Sequence, residues 1–230
     1  MSHSADATAP LRHGYTNKSY RTGDRVTKQY VGAGSQARCR TETGCLECLQ
    51  GTLPVPPIVA RSPRRVTTAF IGGEHGQDLI EQGMTGLVLR LTGELLRQIQ
   101  RASQSACPQL HFKPGQVLVH GDFGPQNLLI EVASPRVTAL LDWEFAHAGK
   151  PIEDLAWAEW CVRMHHPSET GQLPELFESY GGQPDWDVRQ AEMVRQCERL
   201  IRYVEWQGAH DAAELWKQRA LVTQSWSEQG

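Results

Sequence analysis

Three oxygen-bearing side chains stand at spacings that could serve phosphoryl transfer. Asp122 follows the apolar run 117–119, Asn127 comes five residues later, and Asp142 ends a further apolar run, 137–141. Transfer of a phosphoryl group needs an oriented hydroxyl and a metal ion held against the phosphate oxygens. Mg²⁺ prefers hard oxygen ligands, which carboxylate and amide groups supply. We therefore expect Asp122 to steer the hydroxyl and its proton, and Asn127 and Asp142 to bind Mg²⁺.

The apolar runs around these residues predict how they meet. Residues 117–119, 128–130 and 137–141 have the length and composition of short strands. The last two can form a hairpin through the turn Ser134-Pro135, which would return Asp142 to the side of Asn127. Ligands from two loops would then converge on one point.

The motif as a whole resembles a known family. It consists of His120-Gly121-Asp122-Phe123-Gly124-Pro125-Gln126-Asn127 and, further on, Asp142-Trp143-Glu144. It looks like that of the aminoglycoside phosphotransferase and choline kinase group, the small-molecule branch of the protein-kinase-like fold. The resemblance implies that Asp122 is the catalytic base and that Asn127 and Asp142 bind magnesium. It also suggests that Asp154, in Glu153-Asp154-Leu155-Ala156, ties the loop to the helical part.

The same resemblance implies a phosphate-covering loop near the start of the chain. The segment 14–20 contains Gly14, Asn17 and Ser19. Glycine lets a backbone approach phosphate closely, and small polar side chains add hydrogen-bond donors. We expect these three residues to contact the nucleotide.

Further nucleotide contacts are implied in the next elements. Lys28 matches the family's strand lysine, which contacts the α/β phosphates of ATP. Glu42 matches the glutamate that orients this lysine, with Glu47 as the weaker candidate. Phe70 and Ile71 lie near the expected hinge, where backbone groups could meet adenine.

The pattern of predicted elements fits an α+β, two-lobed protein-kinase-like fold. The boundary is expected between an N-terminal nucleotide-binding lobe, residues 1–72, and a C-terminal catalytic and acceptor-binding lobe, residues 73–230. The first lobe is predicted to hold strands at 18–22, 25–31, 58–61 and 66–71 and a helix at 36–50. The second is predicted to hold a helix at 85–102, the three short strands and helices beyond Ile152.

Charge and composition limit the possible partners. The net charge of −3 argues against a general nucleic-acid binder. Residues 1–150 carry a net charge of +4, which suits ATP, whereas residues 151–230 carry −7, which suits either a cationic acceptor or a solvated helical surface. No apolar run reaches the length of a transmembrane helix. We expect a cytoplasmic protein whose six cysteines are reduced, and the Cys39, Cys45 and Cys48 spacing does not favour zinc.

The sequence thus predicts an enzyme that uses ATP and Mg²⁺ to phosphorylate an alcohol group of a small, hydroxylated substrate, such as an aminoglycoside or another antibiotic. Two alternatives remain open. One is a metabolic kinase of the choline, homoserine, fructosamine or sugar type, and the other is a non-catalytic nucleotide-binding pseudokinase. Trp157 and Trp160 could line an acceptor pocket through cation–π contacts or simply belong to the core.

Overall fold

The computed structural model describes residues 9–10, 17–107 and 110–228. Its first part is a five-stranded antiparallel sheet with one helix, and the remainder is mostly helical. The strands are β1 (Ala9–Pro10), β2 (Lys18–Thr22), β3 (Arg25–Gln29), β4 (Ile58–Ser62) and β5 (Arg65–Ala69), in the spatial order β1-β2-β3-β5-β4. This succession of a β-rich part and a helical part is the α+β arrangement that the sequence predicts.

The hairpin of β2 and β3 sets the position of Lys28. Gly23 in its turn has a φ of 59°, in the left-handed region that glycine adopts readily. The register places Ser19 directly opposite Lys28, and such pairs point to the same face of a sheet. The predicted hairpin is confirmed, although β3 ends two residues before Val31 because the chain there turns towards the next helix.

Helix α1 (Ser35–Leu49) packs against this sheet and carries Glu42. It begins after Gly34, whose φ of 68° breaks the preceding extended backbone. The predicted apolar face is present, since Leu46 and Leu49 are buried. The predicted helix at 36–50 is therefore confirmed with a shift of one residue at each end.

Two further helices follow the first part, α2 (Gly76–Glu81) and α3 (Thr85–Ala106). The predicted apolar stripe of α3 is buried at Leu91, Leu95 and Ile99. This face packs against α5 (Leu173–Tyr180) and forms much of the main core. The helix runs past the predicted end at residue 102, because no glycine or proline interrupts the sequence before Pro108.

Two small antiparallel sheets present the loops that carry the motif. One pairs β7 (Val117–Val119) with β10 (His147–Gly149), and the other has the order β6 (Glu74–His75), β8 (Leu128–Glu131), β9 (Arg136–Leu140). The predicted hairpin of β8 and β9 is confirmed, with β9 displaced by one residue. Strands β6 and β10 were not predicted, because, unlike β7, neither Glu74–His75 nor His147–Gly149 contains an apolar run.

The chain beyond Ile152 is helical, as predicted. Besides α5, it contains α4 (Ile152–His165), α6 (Trp186–Trp206) and α7 (His210–Ser225). Helix α6 packs against both α4 and α7. Within the described parts of the chain, none of the helices combines the length and the apolar character that crossing a membrane requires.

The cysteines are not all in the reduced state that the sequence predicted. Cys48 and Cys107 form a disulfide that joins the end of α1 to the residue after α3, with Cα atoms 5.6 Å apart. The expectation that all cysteines are reduced is therefore wrong for this pair, because the fold places side by side two thiols that lie 59 residues apart in sequence. The free cysteines are all buried: Cys39, Cys45, Cys161 and Cys197.

Candidate active site

The loop between β7 and β8 carries Asp122 and Asn127. It begins at Gly121, whose φ is 84° and whose Cβ, if present, would lie 2.5 Å from the carbonyl oxygen of Phe145. A larger residue would be strained there, because its backbone would be left-handed and its Cβ would clash with Phe145. The loop closes with a 3₁₀ turn, Pro125–Asn127. This turn brings Nδ2 of Asn127 to 2.7 Å from the backbone oxygen of Asp122 and to 3.0 Å from its Oδ2.

The Asp122 carboxylate accepts hydrogen bonds from further side chains. Nε1 of Trp157 donates to Oδ1 at 2.9 Å, and Nε2 of Gln126 lies 3.4 Å from the same oxygen. Burial and the nearby charge of Asp142 raise the pKa of Asp122 to about 6, although the hydrogen bonds from Trp157 and Asn127 oppose the rise. The carboxylate is thus held in place while its affinity for a proton is increased.

The β8–β9 hairpin returns Asp142 to this loop. The N–H group of Leu141 donates to the carbonyl oxygen of Asn127 at 2.9 Å, immediately before Asp142. Asp142 has a φ of 67°, which is uncommon for a residue other than glycine, and such strain concentrates at functional sites. Its charge acts on Asp122. The hairpin thus returns Asp142 to the side of Asn127, as the sequence predicts, and their shared binding of a metal ion stays a prediction.

Lys28 reaches this point from β3 and lies between two carboxylates. Its Nζ donates to Oε2 of Glu42 at 2.7 Å and to Oδ1 of Asp142 at 2.5 Å. Burial alone would lower the pKa of Lys28, but the charges of Asp142, Glu42 and Glu144 outweigh it, so the pKa is raised and the ammonium stays charged. The hydroxyl of Tyr30 donates to the same Glu42 oxygen. The predicted pairing of Lys28 with Glu42 is thus present.

A buried polar cluster next to this pair was not predicted. Nη1 of Arg38 donates to Oε2 of Glu144 at 2.6 Å and to Oδ1 of Asn17 at 3.1 Å. Nδ2 of Asn17 lies 3.0 Å from both Glu144 oxygens. Burial, together with the charge of Asp142, raises the pKa of Glu144 to about 7. The available signal was the four-residue spacing of Arg38 and Glu42, which places both on one face of a helix.

Asp154 fixes the start of the loop from α4, as predicted. Its two carboxylate oxygens accept the backbone N–H groups of His120, at 2.6 Å, and Gly121, at 2.9 Å. The buried His120 ring lies 2.9 Å from the carbonyl oxygen of Leu141 through Nε2, and its Nδ1 accepts the N–H group of Asp122 at 3.2 Å. Burial lowers the pKa of His120 to about 4, so the ring is neutral and donates through Nε2.

The three residues predicted to cover the phosphates have different positions. Ser19 is half-buried on β2, beside Lys28. Asn17 is buried, and its side chain binds Glu144 and Arg38 as described above. Gly14 lies outside the described residues. Their contacts with a nucleotide stay a prediction.

The predicted hinge residues follow β5. The N–H group of Phe70 donates to the carbonyl oxygen of Asp24 at 2.7 Å, and its ring lies 3.5 Å from the guanidinium carbon of Arg21. Ile71 is half-buried in the segment that joins the two parts of the chain. An adenine contact made by either residue stays a prediction, and the N–H group of Phe70 is already used.

The described residues include one group of acidic side chains close enough together to hold a cation. It comprises Glu42, Asp142 and Glu144, with ligand atoms within 4.8 Å of one another. Lys28 lies in this cluster, and Asn127 adjoins it through the β8–β9 hairpin. The site therefore combines hard oxygen ligands, the buried ammonium group of Lys28, and the Asp122 carboxylate, whose affinity for a proton is increased.

The β-rich lobe and the helical lobe, with this set of side chains between them, have the architecture of the protein-kinase-like fold. Residues 113–191 match the model of a family described as the phosphotransferase enzyme family, APH. This segment contains Asp122, Asn127 and Asp142. The resemblance to the aminoglycoside phosphotransferases that the sequence suggested is confirmed over this segment.

Solved structures share the fold over nearly the whole chain. The macrolide 2'-phosphotransferase MphH from Brachybacterium faecium is 17% identical, with a TM-score of 0.68 over 94% of this chain and 92% of that one. APH(2")-IIia, in a complex with GDP and kanamycin, is 13% identical, with a TM-score of 0.74 over 97% and 94%. A mutant of APH(4)-Ia with ADP and hygromycin B is 17% identical, with a TM-score of 0.66 over 94% and 92%. The predicted kinase-like fold is confirmed.

Curated relatives match a short segment. Acyl-CoA dehydrogenase family member 11 of Gallus gallus is 44% identical over 43 residues, 19% of this chain, and family member 10 of Mus musculus is 41% identical over 51 residues, 22% of it. The matched segments span 6% and 5% of those relatives' own lengths.

Proposed function

We propose that this chain is an ATP- and Mg²⁺-dependent phosphotransferase that phosphorylates a hydroxyl group of a small molecule. The observation that carries the proposal is the meeting of Asp122, Asn127 and Asp142 beside the ion pair of Lys28 and Glu42. The family match of the segment that contains the loop and the fold shared with known phosphotransferases support it.

The nucleotide would lie between an N-terminal lobe, residues 1–72, and a C-terminal lobe, residues 73–230. Lys28 would contact the α/β phosphates and would then share its charge between them and Asp142, while Glu42 keeps its direction. The names of the structural neighbours include ATP, ADP and GDP, so adenine and guanine nucleotides both belong in a test. The remaining proposed nucleotide contacts are Gly14, Asn17, Ser19, Phe70 and Ile71.

Asn127 and Asp142 fit a Mg²⁺ ion by the chemistry of their donor atoms. Asn127 turns its amide nitrogen to Asp122, which leaves the amide oxygen as its ligand atom. Asp142 supplies a carboxylate, and the adjacent charges of Glu42 and Glu144 also favour a cation. The bound ion would neutralise charge on the phosphate oxygens.

Asp122 is the proposed catalytic base. A pKa of about 6 leaves its carboxylate mostly ionised at pH 7 and still able to accept a proton from the acceptor hydroxyl. The hydroxyl oxygen forms a bond to the γ-phosphorus while the bond from that phosphorus to the β–γ bridging oxygen breaks. ADP leaves with the electron pair of the broken bond, and Asp122 then releases the proton to solvent.

The alternatives within this proposal differ in the small molecule that accepts the phosphoryl group. The neighbours' names point to aminoglycosides and macrolides, and the charge of −7 on residues 151–230 suits a cationic acceptor. Metabolic hydroxyl compounds of the choline, homoserine, fructosamine or sugar type are the second group. The names of the curated relatives contain acyl-CoA, so the test also includes acyl-CoA thioesters, chosen to carry the hydroxyl group that the proposed reaction needs.

The test is an assay of acceptor-dependent ADP formation over these compound groups, with an Asp122→Asn variant as the matched control. The proposal expects at least one acceptor to raise ADP formation far more in the wild type than in the variant. Tight nucleotide binding without turnover on any acceptor would instead support a non-catalytic nucleotide-binding module. The presence of all the expected polar groups argues against that alternative.

A further inference from the structure

The hydrogen bond between Trp157 and Asp122 connects helix α4 to the loop that carries the proposed catalytic base. Trp157 lies on α4, 35 positions after Asp122, and its Nε1 donates to Oδ1 at 2.9 Å. Asn127 holds the other carboxylate oxygen at 3.0 Å from within the loop itself. Both carboxylate oxygens are thus held: Asn127 and, at 3.4 Å, Gln126 donate from the loop itself, and Trp157 donates from a separate helix.

The indole that makes this contact cannot easily move. Trp157 is 4% exposed, and its ring stacks on that of Trp160 with centroids 4.4 Å apart and planes 5° from parallel. The Trp216 ring of α7 packs on the same pair, 6.0 Å from Trp157 and 5.4 Å from Trp160. A donor fixed by stacking loses little side-chain entropy when it forms its hydrogen bond.

This burial also decides between the two interpretations of the tryptophans. A pocket that binds an acceptor by stacking needs an exposed ring face, and Trp157 and Trp160 are 4% and 1% exposed. The rings therefore belong to the core, and the polar edge of Trp157 is the part that reaches the site. Oδ2 accepts a hydrogen bond from Asn127 alone and can accept a second one, so Asp122 retains acceptor capacity for a substrate hydroxyl.

We infer that Trp157 is a positioning residue: its indole N–H group holds the Asp122 carboxylate in the orientation that receives the acceptor hydroxyl. The inference rests on the proposed function, because it assigns Asp122 the role of base. A misdirected base lowers the rate of the chemical step without weakening nucleotide binding, since Trp157 contacts neither Lys28 nor Asp142 in any described hydrogen bond.

Trp160 supplies a matched control on the same helix. Its Nε1 donates to Oγ1 of Thr223 at 2.8 Å, so Trp160→Phe also removes an indole hydrogen bond and trims the same stack. Trp157→Phe is expected to lower kcat by about 10- to 100-fold with the KM for ATP within roughly twofold of wild type. Trp160→Phe is expected to change kcat by less than about threefold, because its lost bond does not involve the base. Equal losses in the two variants would reduce Trp157 to a packing role and overturn the inference.

A double-mutant cycle and one spectroscopic signal complete the test. In an Asp122→Asn background, Trp157→Phe is expected to have little further effect on the residual rate, and a full additional loss would contradict the inference. The ¹⁵N-indole resonance that disappears in Trp157→Phe is expected to shift in Asp122→Asn, because its acceptor loses its charge. An unshifted resonance would refute the contact whether or not turnover is found.

The two failures are distinguishable. An enzyme that turns over an acceptor, and whose Trp157→Phe variant keeps the wild-type kcat, defeats the positioning role alone. A protein that turns over no acceptor defeats the proposed function, and the positioning role with it, even where the indole resonance shifts.

Discussion

The carboxylate of Asp154 accepts the backbone N–H group of His120 at 2.6 Å, across 34 positions of sequence. Its other oxygen accepts the N–H group of Gly121 at 2.9 Å. These bonds set the direction in which the chain enters the loop that carries Asp122. They also satisfy two N–H groups that would otherwise lack a partner in the interior.

Replacing Asp154 by alanine should therefore weaken both the fold and the site. We expect Asp154→Ala to lower the free energy of unfolding by about 2–4 kcal/mol, because two inward N–H groups lose their acceptor. Chemical denaturation measures this change, and acceptor-dependent turnover should fall with it. Asp211→Ala, at an exposed position on α7, is the control and should change the stability by less than about 0.5 kcal/mol. Equal stability of the two variants would contradict the bracing role.

From the pairing of Glu42 with Lys28 we predict that removing the charge of Glu42 impairs the use of ATP. Glu42→Gln keeps the shape of the side chain but removes the charge that directs the Lys28 ammonium. We expect kcat/KM for ATP to fall by about tenfold or more, as measured by steady-state kinetics. Glu47→Gln on the same helix is the control, since Glu47 pairs with Arg61 at the surface. A Glu47→Gln loss as large as that of Glu42→Gln would show that α1 aligns Lys28 differently.

The disulfide between Cys48 and Cys107 predicts a dependence of stability on reductant. Opening it releases a constraint on the unfolded chain over 59 residues, which typically costs about 2–4 kcal/mol. Guanidinium denaturation with and without dithiothreitol should show this loss in the wild type. A Cys48→Ser/Cys107→Ser variant should have the same free energy of unfolding as the reduced wild type. Adding the reductant should not change it. Identical wild-type curves under both conditions would contradict the prediction.

From the lowered pKa of Glu153 we predict that the protein loses stability in acid. Burial opposes its ionisation, but the hydrogen bonds from His147 and the Lys150 N–H group and the charge of Arg199 lower its pKa from 4.5 to about 2. A lowered pKa contributes stability that is present above pH 4.5 and is lost as the pH falls towards 2. The full contribution is on the order of 2–3 kcal/mol.

The measurement is the difference in unfolding free energy between wild type and Glu153→Gln across pH. This difference should shrink by roughly half between pH 5.5 and pH 3. The pKa of His147 is raised, chiefly by its hydrogen bond with Glu153, so its own contribution is present below pH 6.5 and is lost above its folded pKa. The difference should therefore be largest near pH 5.5 to 6.5, and a difference that does not vary with pH would contradict the account.

The sequence predicted those features that depend on local pattern. The Asp122 to Asn127 spacing lies within one loop, and the hairpin that returns Asp142 depends on two adjacent apolar runs and a short turn. The pairing of Lys28 with Glu42 could be placed through the family resemblance, because both lie in consecutive elements. Each of these geometric expectations appears in the structure.

The remaining features depend on contacts between distant segments. Glu144 was part of the recognised motif, but its partner Arg38 lies 106 positions away, so no local pattern connects them. The hydrogen bond from Trp157 to Asp122 likewise requires the packing of α4 behind the loop. The Cys48–Cys107 pairing is set by where two helices end, a tertiary property that cysteine spacing does not encode.

Calorimetric titration of ATP with and without Mg²⁺ tests the central claim most directly. In the wild type, Mg²⁺ should strengthen nucleotide binding, because Asn127 and Asp142 would share the ion with the phosphates. Asp142→Asn should lose most of this gain, whereas Asp122→Asn should keep it and yet retain only a small residual rate of phosphoryl transfer. An Asp142→Asn variant with the wild-type response to Mg²⁺, or an Asp122→Asn variant with wild-type turnover, would contradict the account.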